Sequence, residues 1–234
     1  MDAPDADYRS ALALIAHELR SPASIVSGYL RMLLQRDVER LSDQQRRMLD
    51  EAGRACGRVL RLIQEVGDLA SLEASYPVRS PSGVPVFPLC GEIVEVAARD
   101  GGSPAPTFLC ADADRSAVVD GDAAWLKRAF GALITATARE YGPAQLECHG
   151  FVSDESGAPR AVIAFGPPAV AANRDEIMAN RAVFDRWRGG TGLSLPIACQ
   201  IIEAHGGSVW SPAAGNARAA SVWALPIATS APGV

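Results

Sequence analysis

The sequence predicts an α+β protein: an N-terminal antiparallel helical hairpin that pairs with a second copy as a four-helix bundle, then an α/β sandwich. Three observations predict it. Apolar residues step by threes and fours through two long stretches of the first third of the chain. A proline- and glycine-rich segment, YPVRSPSGVPVFP at Tyr76–Pro88, ends that regime. Beyond it, short strand-like apolar runs alternate with helical ones. The expected boundaries are a hairpin over residues 7–74, a linker over 75–88 and a sandwich over 89–228.

The first helix is expected from Asp7 to Arg36, with Leu12, Ile15, Leu19, Val26, Tyr29 and Leu33 as its seam. With Leu12 and Leu19 at a and Ile15 at d, His17 falls at f, furthest from the seam, and Glu18 follows it directly. Pro22 removes the N–H that would bond the carbonyl of Glu18, so a bend is expected just beyond the histidine. A break at Asp37–Ser42 follows, with Ser42 as N-cap of the next helix. That helix carries Met48, Ala52, Ala55, Val59, Leu62, Val66 and Leu69. Leu30, Leu34, Leu49, Leu60 and Ile63 flank the seams and widen the stripes beyond what one partner helix covers, which predicts a homodimer.

In the second half, a helix is expected over Leu89–Arg99 and strands over Thr107–Ala111 and Ala117–Asp120. Asp122 caps a helix running through Trp125, Leu126, Ala129, Phe130, Leu133 and Ile134 to Tyr141. Strands at Ala144–Phe151 and Arg160–Phe165 flank a turn-rich insert, SDESGAP. A polar, partly helical stretch (Ala172–Trp187) precedes GGTGLSLPIACQIIEAHGGSVW, read as a glycine turn, a helix ended by Gly206–Gly207, and a strand. Ser208–Trp210 and Ala219–Leu225 complete a mostly antiparallel sheet with helices on one face.

Composition narrows the function. The 234 residues carry a net charge of −5 with no basic stripe, against a nucleic-acid surface. Five cysteines, odd in number and without C-x-x-C pairing, suggest neither a disulfide framework nor a zinc site and fit a reducing cytosol. The acidic, polar start MDAPDADYRS and the lack of a long apolar run predict a cytoplasmic chain with neither signal peptide nor membrane anchor. Input is then expected through a partner, since no stretch is left for a sensory domain.

Two motifs carry chemistry. HELRSP, His17–Pro22, resembles the H-box of the histidine kinase family, His-Glu-x-x-Ser/Thr-Pro on the first helix of the dimerisation and phosphotransfer domain. Gly189–Leu195, GGTGLSL, is a glycine turn at a helix start, where unpartnered amides and the helix dipole favour an anion. With EAHGG and the strand after it, this segment resembles the second glycine box of the family's ATP-binding domain, a sandwich of the histidine kinase/GHKL ATPase type. The resemblance implies that His17 carries a phosphoryl group and that Glu18 orients the ring or takes its proton. It implies that Ser21 positions water for dephosphorylating a receiver domain; Arg20, within the same stretch, would offset charge. Gly190, Thr191, Gly192 and Leu193 would be what remains of the phosphate loop.

The same resemblance exposes departures. The asparagine expected to help hold magnesium is Ala136, the one a turn earlier is Ala132, and a methyl group cannot ligate a hard cation. In the first glycine box the stretch is AFGPP: the adenine-binding aspartate aligns with Ala164, a glycine survives as Gly166, and the next is Pro168. Ser194 replaces a further glycine, and Pro196 is tolerable in a first helical turn. No resident metal is expected. Asp154, Glu155, Asp175 and Glu176 read as solvated carboxylates, and Arg174, Arg181, Arg186 and Arg188 as plain exposed surface, with a loosely basic lid that meets phosphate as the lesser alternative. His149 and His205 read as structural, and the four tryptophans as core or half-core.

Three functions remain open on these residues. One is phosphotransfer between His17 and receiver-domain aspartates, with ATP binding lost or weak. Another is an ATP-dependent histidine autokinase, which needs ATP and magnesium. The last is a non-enzymatic module docking on a receiver or a kinase. The expected partners are a response regulator receiver domain, an upstream hybrid kinase and a second copy of the chain.

Overall fold

Helix α1 spans Ala3–Arg36 and runs on through Pro22; α2 spans Asp43–Ser75. The computed structural model describes residues 3–36, 41–75, 82–100, 104–155, 157–190, 192–212 and 220–228. It divides into two compact units, Met1–Tyr76 and Pro77–Val234. Ser42 starts α2 as expected: its Oγ accepts from the Gln45 N–H at 3.3 Å while Gln45 Oε1 accepts from the Ser42 N–H at 2.9 Å, a reciprocal capping box. Among the described residues, no helix is long and apolar enough to cross a membrane.

The helices pack antiparallel. A Cβ on Gly67 would touch Ala16 Cβ at 3.5 Å, Arg20 bonds Gln64, and Cys56 Sγ lies 3.4 Å from the Ala23 carbonyl oxygen. The inward rows, half-buried or buried, are Leu12, Ala16, Ala23, Ser27, Leu30 and Leu34 on α1, and Leu49, Cys56, Leu60, Ile63 and Gly67 on α2. This corrects the expected seam. Ile15, Leu19, Val26, Tyr29 and Leu33 on α1, and Met48, Val59 and Leu62 on α2, are exposed, whereas the expected flanking residues Leu30, Leu34, Leu49, Leu60 and Ile63 lie inside. The inner rows mix Ala16, Ala23, Ser27, Cys56 and Gly67 with Leu12, Leu30, Leu34, Leu49, Leu60 and Ile63, and the other row is left facing outward. The side chain of Leu69 lies outside the described part.

The second unit begins with strand β1 (Ser82–Pro85) and helix α3 (Val86–Asp100). Val86 and Phe87 are fully buried, so the expected 75–88 linker overlaps the folded unit by these residues; 76–81 lie outside the described residues. Pro88 misled because it sits in the first turn of α3, where its missing N–H costs nothing. Strands β2 (Thr107–Cys110) and β3 (Val118–Gly121) follow. Helix α4 (Ala123–Tyr141) is capped by Asp122, whose side chain accepts from the N–H groups of Ala124 and Trp125 at 2.8 and 3.1 Å.

Strands β4 (Glu147–Glu155) and β5 (Ala158–Gly166) form one long hairpin. It absorbs most of the expected SDESGAP insert, because Gly157 at φ 82° allows a tight reversal between Glu155 and Ala158. Short helices α5 (Pro168–Ala171) and α6 (Arg174–Ala179) lead to β6 (Arg181–Val183). Helix α7 (Ser194–Ala204), β7 (Ser208–Pro212) and β8 (Ser221–Pro226) complete the unit. The main sheet has the order β2-β4-β5-β8-β7-β6, antiparallel except where β2 runs parallel to β4, and β1 pairs with β3 separately.

The sheet is covered on both faces, where helices on one face were expected. Helices α4 and α7 pack on the side of Ile163, Phe165 and Trp223, with Phe130 and Trp223 ring centres 5.4 Å apart. On the other side Ala171 and Ile177 close a cluster with Phe151, Val162, Ala164, Trp210, Val222 and Ala224. Trp210 Nε1 donates to the Ile177 carbonyl at 2.9 Å. Every residue from Ala161 to Gly166 is consequently buried, which erases the alternation a one-sided sheet would show.

Candidate functional site

His17, Glu18, Arg20 and Ser21 are all exposed on α1. At about 100° per residue, His17 points about 100° from the seam through Ala16 and Ala23, and Ser21 projects one turn further along the same side. The outward row Ile15, Leu19, Val26 and Leu33 points about 90° from that seam in the opposite sense. On α2, Met48, Val59 and Leu62 are displaced from their own seam in the same sense, and antiparallel pairing brings both rows to one side of the hairpin. The imidazole thus stands on the side away from a broad apolar face spanning both helices. Arg20 Nη2 donates to Gln64 Oε1 at 2.9 Å, and Gln64 Nε2 donates to Asp68 Oδ1 at 2.8 Å. Neither Gln64 nor Asp68 was singled out from sequence; their i, i+4 spacing on α2 was the available signal.

In the second unit, the glycine segment forms a tight turn, Arg188–Gly190, before α7. Gly189 takes φ 69°, and a Cβ there would come within 2.7 Å of the Ala136 carbonyl oxygen. The turn therefore lies directly on the α4 backbone at Ala136, which is fully buried. Arg188 is buried too. Its Nε donates to Glu140 Oε2 at 2.6 Å, its Nη1 reaches Ser211 Oγ at 3.4 Å, and its guanidinium stands 5.5 Å over the Phe184 ring. Gly192 takes φ 68°, Leu193 precedes the first turn of α7, and Thr191 lies outside the described residues.

The β5 register fixes which side each residue of the AFGPP stretch's strand part faces. Ala164 faces the cluster with Ala171 and Ile177, away from α4. Phe165 is the residue on the α4 side, paired with Ser221, whose Oγ lies 2.6 Å from Thr137 Oγ1 on α4. The side of β5 that faces Ala136 thus presents a buried aromatic ring, again no carboxylate. Gly166 is required for packing, since a Cβ there would meet Ala220 Cβ at 2.6 Å.

Of the four arginines read as exposed surface, Arg174, Arg181 and Arg186 are exposed, and Arg188 is the exception, being buried. Arg174 lies 4.7 Å over Phe151, Arg181 4.3 Å over Trp210, and Arg186 pairs with Glu203. His205 is buried at the end of α7; its Nε2 accepts from the Asp122 N–H at 3.1 Å, so Nδ1 donates to the Ile201 carbonyl at 2.7 Å. It is a structural link to the α4 cap, as expected of a structural histidine. His149 Nε2 lies 2.7 Å from Glu147 Oε2. Trp210 and Trp223 are buried, but Trp187 is 68% exposed, contrary to a core role. All five cysteines are free, and Cys90 and Cys148 lie buried with sulfurs 3.5 Å apart. Burial raises the Cys148 thiol well above its ordinary pKa and pushes Cys199 up to about 11. Among the described residues, no group of three His, Cys, Asp or Glu is placed to hold a metal ion.

Comparison with known proteins gives consistent results. The His Kinase A (phospho-acceptor) domain family matches residues 8–75. The chain is 27% identical to the sensor protein ChvG of Rhizobium meliloti, over 83% of this chain and 35% of that protein. It is 30% identical to the phosphate regulon sensor protein PhoR of Pseudomonas aeruginosa, over 83% of this chain and 44% of that protein. The chain thus spans less than half the length of either relative. Among solved structures, full-length ShkA in complex with AMPPNP superposes with a TM-score of 0.68 at 21% identity, over 95% of this chain and 46% of that one, a likeness of fold.

Proposed function

The chain belongs to the two-component sensor histidine kinase superfamily, and on that premise we propose that it is a homodimeric histidine phosphotransferase. His17 attacks the aspartyl phosphate of a response regulator receiver domain. A P–N bond forms at the ring, the P–O bond to the aspartate breaks, and the freed carboxylate leaves. The ring proton passes to Glu18 or water, and reversal on a second receiver delivers the phosphate. An upstream hybrid kinase is one source of the first receiver. Ser21, on the same exposed side, is placed to orient water against a receiver's aspartyl phosphate.

The observation that carries this reading is the placement of His17. Its ring is open to a partner while the apolar row on the other side of the hairpin is available to a second copy. The same row supports the dimer, since Ile15, Leu19, Val26, Met48, Val59 and Leu62 remain exposed in a single chain.

The sandwich supports the absence of ATP chemistry. A magnesium nucleotide requires oxygen ligands on α4, an acceptor on β5 and an open turn before α7. The residues do not fit it: Ala136 lies under the Gly189 turn, Phe165 stands where an acceptor would face α4, and Arg188 is already neutralised by Glu140. The second reading, an ATP-dependent autokinase, draws on the sensor relatives and on the AMPPNP held by ShkA.

One comparison tests all of this. Wild type and His17→Ala are incubated with labelled ATP and magnesium, and separately with a pre-phosphorylated receiver. Label from the receiver alone, abolished by His17→Ala, is expected. Label from ATP overturns the loss of ATP chemistry in favour of the autokinase, and receiver binding without label leaves a docking module. For the dimer, Leu62→Glu is expected to halve the mass seen by analytical ultracentrifugation; an unchanged mass removes the outward row from the interface.

A further inference from the structure

One cation is anchored beside His17. Arg20 follows the histidine by three residues, which puts their Cβ atoms about 5–6 Å apart on adjoining turns. Its Nη2 reaches across the hairpin to Gln64 Oε1, and Gln64 is in turn held by Asp68. Its Nη2 lies 3.7 Å from where a Cβ on Gly67 would stand, an ordinary packing contact, so the guanidinium rests against the α2 surface there. Gln64 is the only side chain that Arg20 bonds among the described residues. An amide fixes the guanidinium without cancelling its charge, as a carboxylate would. Nε and Nη1 remain available for oxygen ligands.

We propose that Arg20 is the phosphate-binding residue of this acceptor site, pairing with the phosphoryl oxygens carried on His17, and that Gln64, braced by Asp68, is its positioning residue. The proposal rests on His17 being the phosphoacceptor. A phosphoryl group on the ring carries negative charge on three oxygens, and the neighbouring Glu18 adds a repelling carboxylate. A planar guanidinium with two free donor positions offsets both and matches the oxygen geometry, which an ammonium does not. Loss of the group passes through a loose transition state driven by electron density on those oxygens. Arg20 withdraws that density, so phosphohistidine persists longer until a receiver accepts it.

The test loads the full chain with phosphoramidate and follows phosphohistidine by 31P NMR without receiver, comparing wild type, Arg20→Ala, Arg20→Lys, Gln64→Leu and Gln64→Glu. Arg20→Ala is expected to shorten the half-life about three- to fivefold, with Arg20→Lys and Gln64→Leu about twofold. Gln64→Glu keeps the tether but neutralises the charge, so it should resemble Arg20→Ala, an effect a purely structural link would not give. Wild-type persistence in Arg20→Ala, or in Gln64→Glu, overturns the proposal. Label that His17→Ala does not abolish overturns the phosphoacceptor reading and this inference with it. Normal loading without transfer to any receiver sinks the phosphotransfer reading alone and leaves Arg20 supported by its half-lives.

Discussion

The two units of this chain treat their chemical positions in opposite ways. On the hairpin His17 faces water, and the packing beside it, Ala16 against Gly67, demands nothing of the histidine. In the sandwich the positions that resemble a nucleotide site have turned inward: Ala136 and Phe165 are fully buried, and Arg188 is locked to Glu140. An exposed imidazole needs only a helix to present it. A nucleotide site needs several polar groups held apart and partly desolvated, at a cost in stability. Where such groups are replaced by apolar ones, the fold closes over the gap.

That contrast predicts that substitutions around the Gly189 turn act on stability while those around His17 act on phosphorylation. Trp125, Trp187, Trp210 and Trp223 all lie in the sandwich, so their fluorescence in denaturant titrations reports on that unit selectively. The largest effect is expected from Glu140→Ala, which strands Arg188, 5% exposed, without its carboxylate. A loss of about 3 kcal/mol is expected, and a change below about 0.5 kcal/mol would break the comparison.

Alkaline pH comes next. Cys199 keeps its proton to about 11 in the fold against an ordinary 9.0, so the unfolded chain releases it first as pH rises. Stability from this thiol is complete below 9, falls through the window from 9 to about 11, and levels off above it. At about 1.4 kcal/mol per pH unit the full loss is about 2–3 kcal/mol. Cys199→Ala should flatten that slope while leaving the hairpin's pH response unchanged.

Gly189→Ala places a side chain in a left-handed residue 2.7 Å from the Ala136 carbonyl oxygen. The expected cost is about 2 kcal/mol, seen in tryptophan fluorescence but not in phosphorylation of His17. The smallest effect belongs to the hairpin. Ser42→Ala removes one half of the capping box and should lower helical stability by about 1 kcal/mol, detected by far-UV circular dichroism, with tryptophan fluorescence unmoved.

Much of this architecture is legible in the residues alone. Ser42 and Asp122 announce their helices because a short polar side chain ahead of an apolar-periodic run has one favourable use. The acceptor histidine and the glycine turn are legible as motifs, and the sheet's strands as short apolar runs. The Arg188–Glu140 lock is not, because its partners are separated by 48 residues and meet only when the turn folds onto α4. Nor is the cover on the second face of the sheet, since α5 and α6 are too short to show a period.

The sequence by itself determined two amphipathic helices, the exposure of His17, and the alanines Ala132 and Ala136 on α4. Those follow from residue type and from the fixed turn per residue of a helix. Only the tertiary structure decided which of two parallel apolar rows closes the hairpin, and that Phe165 rather than Ala164 faces α4. Periodicity gives each row a direction but cannot say which neighbour will occupy it. That choice is made by the facing helix, through pairs such as Ala23 and Cys56 that lie 33 residues apart in the chain.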